Sequence, residues 1–230
     1  MVAGICVSIS ILVIAVSLGF FIYLGGFSSP SVVLTTTVPI KVLYKEGLED
    51  YSSTNSYIST LYKVDLPAEI HNVKRMGFYF DNPPWVSEGH KPRFAYGFSI
   101  PMNETKNKEI QSFMQKLKEE HNFTKSIELP PVTIVECNVP YKNIVSNLIK
   151  LWKCYGKVYE IVDANYTDYY KRDQMPPATE IYDDKITIQI PVGDGAHDFA
   201  FSGYQMPPYS EEGKQLWRKM RNLSLGLKNA

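Results

Sequence analysis

Four histidines, His71, His90, His121 and His197, are the obvious candidates for metal or acid–base chemistry, and no pair of them has metal-ligand spacing. His197-Asp198 follows Gly193-Asp194-Gly195-Ala196, which reads as a turn leaving a strand rather than as a site. There is no G-x-S-x-G, no P-loop and no Cys–His pattern of a known protease family. No catalytic residue, metal or cofactor is assigned, and the chain reads as a non-enzyme. Cys137 lies in an apolar strand and reads as core. Cys137 and Cys154 pair if the body folds in an oxidising lumen and remain thiols outside it. Under the same condition four N-x-[ST] sequons, at Asn103, Asn122, Asn165 and Asn222, are glycan acceptors.

Lys and Arg number 24 against 24 Asp and Glu in 230 residues, so the basic surplus of a dedicated nucleic-acid binder is missing. The length suits one domain with appendages. Val2 to Phe27 contains no charged residue, and about 20 apolar residues in a helix span the ~30 Å hydrocarbon layer. The run is longer than the ~7–15 apolar residues of a cleavable signal and has no basic residue before it. An uncleaved membrane anchor over 1–27 is therefore expected. Lys41 and Lys45 follow it and lean towards a cytoplasmic body, whereas the sequons lean towards the lumen.

Residues 28–38 read as a linker and 225–230 as a terminal end, leaving 39–224 as the folded body. Its patterns alternate between period 2 and period 3.6. Strands are expected at Ile40–Tyr44, Met76–Asp81, Arg93–Ile100, around Ile127, and at Val132–Cys137, Thr179–Tyr182 and Lys185–Ile190. Helices are expected at Ser53–Val64, Lys106–Glu120 and Tyr141–Cys154, with a Tyr-rich connection after the last. A final helix capped by Ser210 carries Lys214, Arg218, Lys219 and Arg221 opposite Leu216, Trp217 and Met220, and is expected to dock as the domain's last element. Strand, helix, strand, strand thus occurs twice, at about 39–101 and 132–191. Each second strand ends in an acid (Asp81, Asp183) and each third closes on Ile-Pro (Ile100-Pro101, Ile190-Pro191). Two such units make an α+β sandwich, an antiparallel sheet with its helices on one face.

The duplicated unit, with Phe78-Tyr79-Phe80-Asp81-Asn82-Pro83 and Glu180-Ile181-Tyr182-Asp183, resembles the gyrase-inhibitor-like (GyrI-like) fold. Together with the amino-terminal anchor it is most similar to the testis-expressed protein 264 family, endoplasmic-reticulum receptors for selective autophagy. Tyr79–Val86, Val139-Pro140-Tyr141, Glu180-Ile181-Tyr182 and Glu211–Leu223 carry the resemblance, which covers about residues 1–224.

That resemblance implies a single-pass endoplasmic-reticulum adaptor with a cytosolic body and ubiquitin-like autophagosome proteins as partners. Vertebrate members place their aromatic-x-x-aliphatic partner motif in a long acidic tail, which this chain, ending at Ala230, is expected to lack. Such motifs bind by strand addition. The pattern recurs at Tyr141–Ile144, Tyr155–Val158 and Tyr159–Val162, and only Tyr159 to Val162 has an acid and reads as lying in a connection. The resembling drug-binding regulators hold a glutamate in an aromatic pocket. The resemblance assigns that role to Glu180, with Tyr79, Tyr96, Phe98 and Tyr182 as walls and an amphipathic cation as ligand. Two alternatives stand beside the adaptor: a membrane-tethered binder of hydrophobic or cationic small molecules, and a lumenal or secreted glycoprotein of the same fold.

Overall fold

The structure, a computed structural model, describes residues 13–19, 22–23, 29–48, 54–67, 69–81, 86–140, 144–166, 177–200 and 210–215. In chain order the main elements are β1 (Val32–Thr36), β2 (Ile40–Leu48), α1 (Thr54–Tyr62), β3 (Lys74–Tyr79), β4 (Arg93–Pro101), α2 (Lys108–Glu119), β5 (Lys125–Leu129), β6 (Thr133–Pro140), α3 (Ile144–Asn165), β7 (Ala178–Tyr182) and β8 (Lys185–Val192). All eight strands join one antiparallel sheet in the order β1-β6-β8-β7-β3-β4-β2-β5. The two expected repeats are β2-α1-β3-β4 and β6-α3-β7-β8, and they meet where β3 pairs with β7 at the middle of the sheet.

The helices form for ordinary reasons. Asn107 caps α2 by accepting the Glu109 N–H at 2.9 Å, Lys116 and Lys118 sit in its last turn, and Ile110, Phe113 and Leu117 bury one face. α1 is held at its carboxyl end by Arg75 of β3. The Arg75 guanidinium donates to the carbonyls of Leu61 and Val64, at 3.0 Å each, where helix carbonyls lack partners. α3 runs to Asn165, well past the expected end at Cys154. Leu151, Cys154, Val158 and Val162 continue its inward face, so the apolar period simply persists through the Tyr-rich stretch.

All three helices pack on one face of the sheet, against a core that includes Leu43, Phe94, Phe98, Ile188 and Ile190. The opposite face carries a second cluster of Val42, Met76, Phe78, Phe80, Val132 and Ile134, which Ala196 and Phe199 join. β1 falls inside the segment expected to link anchor and body. Val32, Val33, Thr35 and Thr36 have strand-favouring β-branched side chains, and the strand pairs with the edge presented by β6.

Residues 13–19 and 22–23 are helical, and the rest of the expected anchor lies outside the described residues. Among the described residues no helix is long and apolar enough to cross a membrane. Of the expected last helix, residues 211–215 are described as helical, with the Ser210 hydroxyl accepting the Gly213 N–H at 3.1 Å.

Candidate functional site

Glu180 lies on β7, the strand of the second repeat that pairs with β3 at the middle of the sheet, and its side chain shares the helix-covered face with Ala178 and Tyr182. Directly across the seam stands Gly77 of β3. α1 docks over β4 while α3 docks over β6 and β8, so the helices flank the central strand pair on which Glu180 sits. α3 sends Tyr155 down to it.

The carboxylate is the hub of a phenol network. The Tyr155 hydroxyl donates to Glu180 Oε1. The Tyr182 hydroxyl donates to Oε2 at 2.7 Å, and the Tyr79 and Tyr182 hydroxyls lie 2.6 Å apart. Gly77 makes this closeness possible: a Cβ there would lie 2.9 Å from the Tyr182 oxygen and 3.2 Å from the Tyr79 ring. The Tyr155 ring also stacks on Tyr159, centroids 6.1 Å apart.

Burial dominates the electrostatics. It pushes the Glu180 carboxyl above the usual carboxylate range, and the three phenol hydrogen bonds only partly oppose the shift. Tyr155 and Tyr182 are pushed well above the ordinary phenol value, first by burial and then by the neighbouring negative charge of Glu180. The phenols therefore remain donors. Among the described residues no lysine, arginine or histidine forms an ion pair with Glu180.

Of the expected walls, Tyr79 and Tyr182 are at the carboxylate. Tyr96 lies in the same cross-strand row, two strands away beyond Gly77. Its ring packs on Tyr57 of α1 at 5.2 Å and on Phe123 at 6.1 Å. Phe98 is fully buried against Phe113 and Phe123. Both belong to the core beneath α1 and α2. Tyr155 replaces them, and the signal that finds it is the continuing period of α3.

Tyr159 and Val162 lie within α3, Val162 fully buried, so this stretch is helical rather than the expected connection and does not offer an extended backbone. Asn103, Asn122 and Asn165 are all exposed, Asn122 with a left-handed φ of 56°, while Asn222 lies outside the described residues. Cys137 of β6 and Cys154 of α3 form a disulfide, Cα atoms 5.9 Å apart. The two repeat-terminal acids diverge. Asp81 is buried and receives the Arg93 guanidinium through two bonds, 2.9 and 2.7 Å, plus the Arg93 N–H at 2.7 Å. Asp183 is exposed and pairs with Lys74, whose hydrogen bond is the first cause of a lowered carboxyl pKa. Among the described residues no three His, Cys, Asp or Glu side chains gather as metal ligands.

No family model and no curated protein matches the chain. Among solved structures it is similar to the EcmrR C-terminal domain, at 16% identity over 71% of this chain and 98% of that one, with a TM-score of 0.42. It is also similar to a hydrolase from Listeria innocua, at 10% identity over 76% and 98% with a TM-score of 0.37. A third likeness is to SAV2435 bound to tetraphenylphosphonium, at 9% identity over 73% and 96% with a TM-score of 0.34. Likenesses this distant assign neither family nor activity.

Proposed function

We propose that this chain is a membrane-tethered binding module for hydrophobic organic cations, non-catalytic, in which Glu180 selects the charge. One observation carries the proposal: a carboxylate held on the sheet's central strand pair by phenol donors, with no cationic partner among the described residues. Burying such a charge is unfavourable without a counter-charge. An organic cation supplies one, and aromatic faces stabilise it further without competing for the hydroxyl hydrogen bonds. The tether is supported by the uncharged run from Val2 to Phe27, whose described residues 13–19 and 22–23 are helical with Val13, Ile14 and Val16 exposed. The test is calorimetric titration of the full chain with quaternary ammonium and phosphonium ions and with neutral molecules of the same shape. Cations are expected to bind and neutral isosteres not; equal binding of both removes the reading.

The receptor role in endoplasmic-reticulum turnover is a second proposal, supported by the resemblance alone. It requires a cytosolic body, and it is opposed by the Cys137–Cys154 disulfide, since persistent disulfides belong to oxidising compartments. Glycosidase and protease treatment of intact microsomes tests it. An unglycosylated, protease-accessible body is its expected result, and a glycosylated, protected one ends it.

A further inference from the structure

α3 carries one continuous stripe that runs outward from Glu180. Tyr159, Tyr155, Trp152 and Leu148 succeed one another at spacings of four, three and four residues, which keeps them on one flank of a helix. The inner end is the site already described, with Tyr155 donating to Glu180 and stacked on Tyr159. The outer end is bare: Trp152 is 70% exposed and Leu148 63%. The neighbouring flank is committed to the fold, where Cys154, Val158 and Val162 are fully buried and Cys154 is cross-linked to β6. A single exposed apolar residue needs no explanation. Here two of them extend a ridge of phenols that ends on a half-buried carboxylate.

We infer that Trp152 and Leu148 form a subsite for a hydrocarbon tail, and that the ligand of the Glu180 site is a cationic amphiphile with an amine or quaternary ammonium head and a single alkyl chain. The inference rests on the cation-binding reading above. The head sits against Glu180 among the rings, and the tail lies outward along α3. Tyr155 to Leu148 spans about 10 Å of helix, roughly the reach of an octyl chain. A compact cation fills only the inner end, and a neutral lipid leaves the carboxylate without its counter-charge.

The test uses the full chain, held in solution by a nonionic amphipathic polymer and titrated with alkyltrimethylammonium ions from methyl to octyl below their aggregation concentrations. Affinity for the wild type should rise by up to about fourfold per methylene, the change equivalent to ~0.8 kcal/mol for each CH₂ buried. In a Trp152→Ser, Leu148→Ser double variant that rise should flatten, while tetramethylammonium binds as to the wild type. Both side chains are exposed, so the melting temperature should hold, and Trp152→Phe with Leu148→Met should restore the rise. A chain-length dependence that survives the serine substitutions overturns the tail subsite and leaves the cation reading standing. If no cation binds the wild type, both fall together.

Discussion

Glu180→Gln separates the two effects that a half-buried, desolvated carboxylate has, one on stability and one on binding. The glutamine keeps the shape, and its amide oxygen still accepts one phenol while its amide hydrogens donate to another. The wild-type carboxyl titrates above its unfolded value because burial outweighs the phenol hydrogen bonds. At pH below the ordinary carboxylate range both states are protonated, and the group contributes nothing to pH dependence. As pH rises, the unfolded chain releases its proton first, so folding stability falls until the raised folded value is passed and is level above it. Each unit of upward displacement corresponds to about 1.4 kcal/mol. The variant lacks this decline. It should equal or exceed the wild type in denaturant melts at neutral pH, the advantage disappearing in acid. Binding moves the other way. A unit charge pair at ~4 Å is worth about 4 kcal/mol at an effective dielectric of ~20, before the cation's own desolvation. Removing the charge should weaken an organic cation by about 2–4 kcal/mol, roughly 30- to 1,000-fold, read by calorimetry. For the wild type, affinity should fall as pH drops through the raised carboxyl value. Equal cation affinity in the two proteins, or affinity that rises in acid, would refute the assignment of Glu180.

Tyr155→Phe removes a donor that opposes the burial effect on Glu180, so the pH midpoint for cation binding should move up, with about 1–3 kcal/mol lost in stability; an unmoved midpoint argues against the hydrogen bond. Gly77→Ala places a methyl against the Tyr182 and Tyr79 phenols and should cost about 1–3 kcal/mol in a melt while weakening the cation. Asp81→Asn leaves the Arg93 guanidinium buried without its charge partner and should cost about 3–5 kcal/mol in denaturant unfolding, against near-neutrality for an exposed pair. Protein purified without reductant should show Cys137 and Cys154 protected from alkylation, and reduction should lower stability by about 3 kcal/mol, the loop-closure value for their separation of 17 residues. If both thiols alkylate freely in the folded chain, the cross-link is absent.

Local pattern carried much of this fold. The alternation of Phe94, Tyr96, Phe98 and Ile100 and the amphipathic period of α2 each state themselves within a dozen residues, and the strand–helix–strand–strand order is the same pattern read twice along the chain. What escaped was long-range or misread at an element boundary. Alternation puts Tyr96 on the same face as Glu180, but only the tertiary packing of Tyr57 shows that α1 claims its ring. Residues 155–165 contain Gly156 and two tyrosines and lead into a Tyr-rich stretch that resembles a connection, although Val158 and Val162 keep the helical period. Ending the helix early hid Tyr155, the residue that completes the site. β1 reads as linker from sequence because its partner, β6, lies about a hundred residues away.

The seam between the repeats explains why the chemistry gathers there and on one side only. Two repeats that pair through their second strands bring β3 and β7 together between α1, docked over β4, and α3, docked over β6 and β8, so the middle of the sheet is reached by side chains such as Tyr155 from the flanking helices. A symmetric filling would put two large groups face to face. Here one repeat contributes Glu180 and the other Gly77, and the space the glycine leaves is where the Tyr79 and Tyr182 phenols converge. The acids that end the second strands broke their symmetry as well, Asp81 turning inward to Arg93 and Asp183 outward to Lys74. The repeated unit thus forms the frame, and the difference between Glu180 and Gly77 across its seam places a half-buried carboxylate there. Because Cys154 ties α3 to β6, the helix that brings Tyr155 to Glu180 is also covalently held to the sheet.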